Sequence, residues 1–352
     1  MRSFVDVLIA VPEGLTYEMM RSAVDMILEQ EVPDEQIAAF LFGLRARGER
    51  TDEIRGFVDS LRDRSAVFSV DGQVLDIVGT GGDRTGAINI STPSSVVAAT
   101  VLRSHGISVV KHGNRGQTTR TGSADIVEQF GIPLDLTIEQ VHRVLDAVGI
   151  SFCFAPAFHP ALKALAPVRK KLGVPTLVNL LAPMLNPASP TYQLVGVADG
   201  TRMDLIASAL KTTTKRSVVA RGRDGLDKFT TTTATDYILI VDGAEFRGNL
   251  VPQELGLDVS SLRSLAGSSP EANASQIRAV LDGEGDPMVS DVVALNAAVA
   301  AWLAIGTGTD LVTGTREYLP TVQAAMRNGA AGFLLAEWQT AASRERGPAG
   351  AP

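Results

Sequence analysis

From about residue 70 onward, short apolar runs of strand type alternate with helical segments. The first three runs are VLDIV (74–78), ISVVKH (107–112) and ISFCFA (150–155), and YQLVGVA, RSVVAR and YILIV supply further strand candidates. Such alternation is typical of an α/β fold whose sheet is mostly parallel. Ligands of these sheets bind beyond the carboxyl ends of the strands, and the glycine clusters of this chain fall there. The segment TLVNLLAPM fits a helix or a strand by its pattern alone.

Residues 16–66 show only helical patterns and precede the alternating region. The three segments are TYEMMRSAVDMILEQ, DEQIAAFLFGLRARG with Asp34 placed to cap it, and TDEIRGFVDSLRDR with Thr51 placed to cap it. The sequence therefore predicts a small helical domain before the α/β domain. The last ten residues, SRERGPAGAP, have the composition of a disordered tail.

Composition restricts the class of protein and its compartment. Hydrophobic residues make up 45% of the 352 residues, enough for a large core, and the net charge of −7 disfavours nonspecific nucleic-acid binding. The single cysteine, Cys153, cannot form an internal disulfide, which favours the cytoplasm. The amino end has no evident targeting signal, and the longest apolar stretch, near 297–305, is shorter than a membrane span.

A glycine-rich loop follows the first strand directly. Gly79-Thr80-Gly81-Gly82-Asp83 lets backbone N–H groups approach an anion, and Asn89-Ile90-Ser91-Thr92 then opens a helix whose start attracts phosphate. Two anion-binding devices so close together favour a ligand with several phosphates. The alternative is a tight turn followed by an ordinary helix cap.

A second polar loop, Lys111-His112-Gly113-Asn114-Arg115, follows the second strand. Its cations suit phosphate or carboxylate and its amide can orient a ligand, although a solvated basic turn has the same residues. The hydroxyl-rich segment 117–123 comes next, and it is either a site for a 5′-phosphate or a threonine-rich cap.

Two further segments carry candidate side chains. Asp224-Gly225-Leu226-Asp227-Lys228 places carboxylates where Mg²⁺ would neutralise a diphosphate, although Asp-Gly is also a common surface turn. The segment 155–160, APAFHP, followed by Arg169, offers apolar walls together with hydrogen-bond donors for an acid. The alternatives are a histidine packed in the core and an arginine in solvent.

Read together, these motifs resemble the anthranilate phosphoribosyltransferase family. The likeness is carried by DIVGTGGD, NIST, KHGNR, TGSAD, FAPAFHPA and APVR, and it extends from the amino-terminal helices to about residue 335. It implies a fold of the nucleoside phosphorylase and phosphoribosyltransferase type, normally a homodimer. The helical domain would comprise residues 1–70 plus about 165–185, and the α/β domain that binds PRPP (phosphoribosyl pyrophosphate) would comprise 71–164 and 186–340, before a disordered tail at 341–352.

The resemblance also implies roles for individual residues. PRPP would be bound by Gly79, Thr80, Gly81, Gly82, Asp83, Asn89, Ser91, Thr92, Lys111 and Thr119. The aromatic acceptor, anthranilate or a related acid, would be bound by His112, Asn114, Pro156, His159 and Arg169. His112 and Lys111 would be catalytic, and Ser91 and Asp227 would bind Mg²⁺.

Two positions depart from the family pattern. The family has an adjacent Asp-Glu pair for a second Mg²⁺ where this chain has Asp227-Lys228, and it has a glycine where this chain has Arg84. A carboxylate replaced by a cation leaves the number of Mg²⁺ ions open between one and two. Lys228 either neutralises phosphate in place of the metal or points to solvent.

Three alternative functions remain. The chain could be a paralogue that uses another aromatic amine or acid in specialised metabolism. Pyrimidine nucleoside phosphorolysis is weaker, because KHGNR with APVR matches the anthranilate branch better. A non-catalytic paralogue that binds nucleic acid is opposed by the acidic net charge. The sequence thus predicts a cytoplasmic enzyme whose partners are small molecules and a second copy of itself, with no nucleic acid and no membrane.

Overall fold

A seven-stranded sheet organises the chain in the computed structural model, which describes residues 3–116 and 121–347. The strands are β1 (Gln73–Gly79), β2 (Ile107–Gly113), β3 (Ile150–Phe154), β4 (Tyr192–Gly196), β5 (Arg216–Gly222), β6 (Thr235–Val241) and β7 (Ala244–Leu250). Their order in the sheet is β3-β2-β1-β4-β5-β6-β7.

The first five strands in that order are parallel, β6 runs antiparallel to β5, and β7 runs antiparallel to β6. Gly79 at the end of β1 pairs with Gly196 at the end of β4, so the loops after these strands begin at the same edge of the sheet. The predicted α/β class with a mostly parallel sheet is confirmed. Strand β7 was not predicted, because it is a largely exposed edge strand whose sequence, AEFRGNL, has little apolar signal.

Fourteen α-helices surround the sheet. They are α1 (Phe4–Ala10), α2 (Tyr17–Leu28), α3 (Asp34–Arg47), α4 (Thr51–Arg62), α5 (Ser91–Leu102), α6 (Ser123–Gln129), α7 (Ile138–Val148), α8 (Ala155–Phe158), α9 (Ala166–Leu172), α10 (Met203–Leu210), α11 (Pro270–Leu281), α12 (Pro287–Ile305), α13 (Leu311–Arg327) and α14 (Ala330–Arg346) in the described part of the chain. Short 3₁₀ turns at Leu177–Leu180 and Ala182–Met184 form the segment that the sequence left open between helix and strand.

Helix α12 lies at the centre of one layer and packs against α5 and α13. Among the described residues it is the one helix long and apolar enough to cross a membrane, yet 78% of its apolar window is buried inside the protein. The expectation that the longest apolar stretch is shorter than a membrane span was wrong. Asp291 and Asn296 divide the apolar sequence into shorter runs, but the helix continues through both residues. The burial identifies α12 as a core helix.

A second hydrophobic cluster lies on the other face of the sheet. It joins side chains of α1–α4 with Leu165, Val168 and the 3₁₀ segment, and also with α10 and with sheet residues such as Val78 and Val195. The small helical bundle therefore packs on this face of the sheet near the carboxyl ends of β1 and β4, where the glycine loops begin.

Several local predictions need correction. Pro33 and Arg50, not Asp34 and Thr51, are the cap residues of α3 and α4, and the side chain of Glu53 accepts from the Arg50 N–H. The tail predicted from residue 341 is helical as far as Arg346, since Ala342 is buried in the core of the α/β domain. Residues 348–352 lie outside the described part.

Candidate active site

A cavity of about 260 Å³ opens where β1 and β2 end and the helical bundle begins. Most of the residues that the sequence analysis selected line it: Gly79, Thr80, Gly81, Gly82, Asp83, Asn89, Ser91, Lys111, His112, Asn114, His159, Arg169 and Asp227. Thr92 and Pro156 do not line it, and Thr119 lies outside the described residues. One cavity therefore combines the candidate phosphate loops with the candidate acceptor residues.

The glycine loop takes a shape that side chains would prevent. Gly81 and Gly82 have φ values of 69° and 85°, in the left-handed region that glycine adopts without strain. A Cβ on Gly79 would lie 2.4 Å from Oδ2 of Asp227, and one on Gly196 would lie 1.5 Å from the backbone oxygen of Asp227. Both strand ends are therefore glycine because the segment containing Asp227 packs against them.

The start of α5 differs from the prediction. Its cap residue is Ile90, which makes no side-chain cap hydrogen bond, and Oδ1 of Asn89, one residue earlier, accepts from the N–H of Thr92 at 3.0 Å. Ser91 lines the cavity, whereas the side chain of Thr92 is fully buried, with a hydroxyl that has no partner in the described part of the chain. The helix turns Thr92 inward one residue after Ser91, so its side chain is not at the phosphate loop.

Three charged groups meet beside the glycine loop. The Nζ of Lys228 lies 3.1 Å from Oδ2 of Asp83 and 2.7 Å from Oδ1 of Asp227, and the three side chains are only 15%, 5% and 8% exposed. The N–H of Gly81 donates to the other oxygen of Asp227 at 2.9 Å. Lys228, which stands where the family has a glutamate, thus bridges two carboxylates from distant parts of the chain and does not point to solvent.

Burial and charge pairing have opposing effects on the pKa values of these three groups. Burial would raise the pKa of Asp83, but Lys228, with hydrogen bonds that include one from Thr85, lowers it to about 2. Burial and the neighbouring Asp83 raise the pKa of Asp227 despite the opposing effect of Lys228. Burial would lower the pKa of Lys228, yet the two carboxylates raise it. Lys228 is therefore a permanent cation.

Lys111 lines the floor of the cavity but is almost completely buried. Its side chain is 1% exposed, and its Nζ donates to the backbone oxygen of Ile77 at 2.6 Å. Burial lowers its pKa to about 8, although Asp76 and Asp227 act in the opposite direction. Asp76 is itself completely buried, and burial raises its pKa to about 6. The ammonium of Lys111 is thus engaged with the protein core.

His112 presents one free ring nitrogen. Its Nδ1 is 3.1 Å from the carbonyl oxygen of Ala182, which can only accept, so Nδ1 carries the proton. Its Nε2 is buried and has no hydrogen-bond partner among the described residues. Burial, with a smaller contribution from His159, lowers the ring pKa to about 3. His112 is therefore a neutral acceptor of one hydrogen bond.

His159 lines the cavity, but its ring nitrogens are bonded within the protein. Its Nδ1 is 2.6 Å from the hydroxyl of Ser65, and its Nε2 is 2.6 Å from the carbonyl oxygen of Leu185. The ring meets that of His112 edge-on at 5.3 Å between centroids. Because both nitrogens are occupied, the contact of His159 with the acceptor stays a prediction that concerns its ring carbons.

Arg169 lies on α9 and lines the same cavity. Its guanidinium has no acidic partner among the described residues, and burial lowers its pKa from the ordinary value. Asn114 is exposed at the mouth, with its Oδ1 accepting from the N–H of Arg115. Pro156 faces a neighbouring groove, because the short helix α8 turns it away from the cavity. Arg169 is therefore the cation in this wall that is free for an anionic ligand.

The apolar wall of the cavity includes side chains that the sequence analysis did not select. They are Leu162, from a 3₁₀ turn at Pro160–Leu165, Val178 and Ala182, from the two later 3₁₀ turns, and Leu185, which follows the last of them. Val178 and Ala182 belong to the run TLVNLLAPM, whose pattern was ambiguous. These side chains give the cavity an apolar surface that suits a flat aromatic ring.

The described residues contain no group of three or more histidine, cysteine or acidic side chains that could hold a metal ion. The nearest approach to one is the pair Asp83 and Asp227, and the Lys228 ammonium lies between them. A divalent cation does not fit between these two carboxylates while Lys228 is there. Ser91 has a hydroxyl facing the cavity and can bind Mg²⁺ only together with oxygens of a ligand.

Fold and site define a two-domain glycosyltransferase with a helical bundle and an α/β domain. The glycosyl transferase family a/b domain matches residues 71–332, and the helical bundle domain of the glycosyl transferase family matches residues 8–65. The chain is 40% identical over 341 residues to the anthranilate phosphoribosyltransferase of Rhodococcus opacus (strain B4), covering 96% of this chain and 92% of that relative. The chain belongs to the anthranilate phosphoribosyltransferase family, whose members are pentosyltransferases.

Solved structures agree with this assignment. The anthranilate phosphoribosyltransferase of Thermus thermophilus is 33% identical and superimposes with a TM-score of 0.87, covering 96% of this chain and 99% of that chain. The Saccharomyces cerevisiae enzyme in complex with PRPP and Mg has a TM-score of 0.86 over 97% of both chains. Its identity is 24%, so this second likeness concerns the fold alone.

Proposed function

We propose that the chain transfers the 5-phosphoribosyl group of PRPP to the amine of anthranilate and releases pyrophosphate. The observation that carries this proposal is one cavity with a phosphate-type glycine loop at one side and the unpaired guanidinium of Arg169 at the other. The loop suits the donor, and the guanidinium suits the carboxylate of the acceptor.

For the donor, we infer that the diphosphate lies against the loop Gly79–Asp83 and the start of α5. The backbone N–H groups of the loop and the amino end of the helix favour negative charge there. Ser91 would contact the donor through its hydroxyl or through Mg²⁺ bound by the diphosphate itself. Lys111 would act from below, because its ammonium is bonded to the carbonyl of Ile77 and raises the potential at the loop without touching the ligand.

For the acceptor, the ring would lie between the apolar wall and His112. Arg169 would bind its carboxylate with the paired N–H groups of a guanidinium. The free Nε2 of His112 would accept a hydrogen bond from the amine. Together these two contacts direct the nitrogen lone pair towards C1 of the ribose.

The reaction then needs little base catalysis. The C1–O bond of PRPP breaks, its electron pair passes to the oxygen of the departing pyrophosphate, and the neutral arylamine nitrogen donates its lone pair to form the C1–N bond. One proton leaves the nitrogen afterwards, through the hydrogen bond to His112 or directly to solvent. Mg²⁺ supplies charge neutralisation of the diphosphate when it is bound. The chain's contribution is alignment of the two substrates and a positive potential at the leaving group.

A turnover assay tests this function. Purified protein is mixed with PRPP, Mg²⁺ and anthranilate, and the loss of anthranilate fluorescence is followed while pyrophosphate is measured separately. We expect one pyrophosphate released per anthranilate consumed. A folded protein that consumes neither across a wide range of Mg²⁺ concentrations would contradict the proposal, and a protein that uses another aromatic amine instead would redirect it to that acceptor.

The assembly in solution is a separate proposal. Helices α1 and α3 contact each other and expose Val5, Ile9 and Phe42, whose side chains are 50%, 72% and 52% accessible. An apolar patch of this kind suits a self-complementary interface. We propose a cytoplasmic homodimer formed through this patch. Light scattering after size exclusion should report a dimer, and Ile9→Glu with Phe42→Glu should give a monomer, whereas Phe333→Glu, at an exposed position on α14, should not.

A further inference from the structure

The ammonium of Lys228 occupies the point between two carboxylates at the glycine loop. Its Nζ contacts Asp83, which belongs to the loop itself, and Asp227, which packs on the ends of β1 and β4. All three side chains are largely buried yet line the cavity. A cation is therefore built into the protein where the donor's diphosphate is proposed to bind.

This arrangement differs from a metal site in its chemistry. Two carboxylates beside a phosphate loop ordinarily attract a divalent ion, which then bridges them to the phosphates. Here the carboxylate oxygens nearest the loop accept hydrogen bonds from Lys228 and Gly81. A metal ion could bind this pair only after displacing an ammonium held by two charge-assisted contacts.

We propose that Lys228 is the resident cation of the diphosphate site and replaces a divalent metal ion between Asp83 and Asp227. The proposal rests on the proposed function for the identity of the donor. It makes Lys228 a binding residue for the donor's diphosphate and limits bound Mg²⁺ to the ion that the diphosphate itself carries near Ser91.

The charges around Lys228 support this assignment. Without the ammonium, Asp83 and Asp227 would place two negative charges against a polyanionic ligand, and like charges at such short range oppose binding. With the ammonium of Lys228 in place, part of the negative charge of Asp83 and Asp227 is neutralised before the ligand binds. Because Lys228 is 15% exposed whereas Lys111 is 1% exposed, Lys228 is the lysine of the two that a phosphate oxygen can reach.

Arg84, directly after the glycine loop, is a second cation near Asp83. Arg84 has a φ of 55°, a left-handed conformation that is strained for a residue with a side chain and that glycine adopts freely. Its side chain is exposed and is paired with no carboxylate in the described part of the chain. The chain thus keeps an arginine at a strained position next to Asp83, outside the residues that line the cavity.

The test measures binding of pyrophosphate by calorimetry, first on the unaltered protein with EDTA and then with Mg²⁺. We expect binding in EDTA, and a gain on adding Mg²⁺ of no more than about tenfold. In EDTA, Lys228→Gln should weaken binding by about 10- to 150-fold, the value of one charge-assisted hydrogen bond, while Lys228→Arg should stay close to the unaltered protein. Lys228→Glu should bind pyrophosphate only with metal, and Mn²⁺ counted by electron paramagnetic resonance should rise by one ion per chain.

The control variant is Lys215→Glu, which changes charge equally at an exposed position before β5, at the end of the sheet away from the cavity. It should leave pyrophosphate affinity and Mn²⁺ count unchanged. The inference is overturned if the unaltered protein requires Mg²⁺ to bind pyrophosphate, or if Lys228→Glu has the same Mn²⁺ count and metal dependence as the parent. If turnover is normal in either case, the proposed function stands without it, whereas a folded protein that binds no pyrophosphate under any condition overturns both.

Discussion

Replacing Arg169 with glutamine isolates the contact proposed for the acceptor's carboxylate. The guanidinium lies in the wall of the cavity on α9, and no acidic side chain of the described residues pairs with it. Burial lowers its pKa, which means that the protein holds a partly desolvated cation without compensation. Glutamine keeps one hydrogen-bond donor, but it is shorter than arginine and lacks both the charge and the paired N–H groups of the guanidinium.

The magnitude follows from the kind of bond that is lost. A hydrogen bond to a charged group contributes about 1.5–3 kcal/mol, which corresponds to a factor of about 10–150. We therefore expect kcat/KM for anthranilate to fall by that factor in Arg169→Gln, with the KM for PRPP unchanged. The melting temperature should stay the same or rise, because an uncompensated cation leaves a partly buried position.

The assay compares two acceptors in both proteins. Aniline has the amine and the ring but no carboxylate, so Arg169→Gln should use it as well as the parent does. Lys170→Gln, the next residue and exposed on the same helix, should lose nothing with either acceptor. An unchanged KM for anthranilate, or an equal loss with aniline, would refute the assignment of Arg169 to the carboxylate.

Three further predictions concern the floor of the cavity. Because the pKa of His112 is lowered to about 3, its ring stays neutral, and kcat/KM for the acceptor should show no inflection near pH 6.5; an inflection there that His112→Gln abolishes would contradict the neutral-acceptor role. Burial lowers the pKa of His159 to about 4 as well, so as the pH falls below 6.5 the unfolded chain takes up two protons that the folded chain does not, while the raised pKa values of Asp76 and Asp227 have the opposite effect on stability. His112→Gln isolates one histidine: the free energy of unfolding measured in urea should depend less steeply on pH in this variant, by up to about 1.4 kcal/mol per pH unit between pH 6.5 and 4, and an unchanged slope would be inconsistent with the lowered pKa of His112. Gly79→Ala should displace the carboxylate of Asp227, lower stability by about 1–3 kcal/mol and weaken pyrophosphate binding by calorimetry, whereas full affinity would mean that the loop tolerates a Cβ.

Much of the fold could be predicted because its signals are local. The strands that end at Gly79 and Gly113 contain apolar runs and finish in glycine, so both strands and the loops that follow them can be recognised in the sequence. Strand β7 has no apolar run, because it is an exposed edge strand. Its available signal, which was not used in the prediction, was Asp242-Gly243 directly after YILIV, a pair with positive φ at both residues that favours a two-residue hairpin turn.

The site was predictable by residue type but not by orientation. Ser91 and Thr92 are adjacent hydroxyl residues with similar helix-capping propensity, yet one lines the cavity and the other is buried, because successive residues of a helix point about 100° apart. His159 is chemically suited to bind an acid, but both of its nitrogens are used by Ser65 and Leu185 from the helical bundle. Contacts of this kind depend on how the bundle packs on the sheet, which no local pattern encodes.

The buried charges explain why two lysines so close to the glycine loop have different tasks. Lys111 is subject to the fields of Asp76 and Asp227, and Lys228 to those of Asp227 and Asp83, so positive and negative groups alternate from the core of the sheet to the loop. Asp227 contacts Lys228 directly, and its charge also acts on Lys111. The inner lysine is bonded to a carbonyl of β1. The outer one ends the row at the cavity beside Asp83, where the donor's diphosphate is proposed to bind, so a change at Asp76 should reach that proposed site through this row even though Asp76 does not line the cavity.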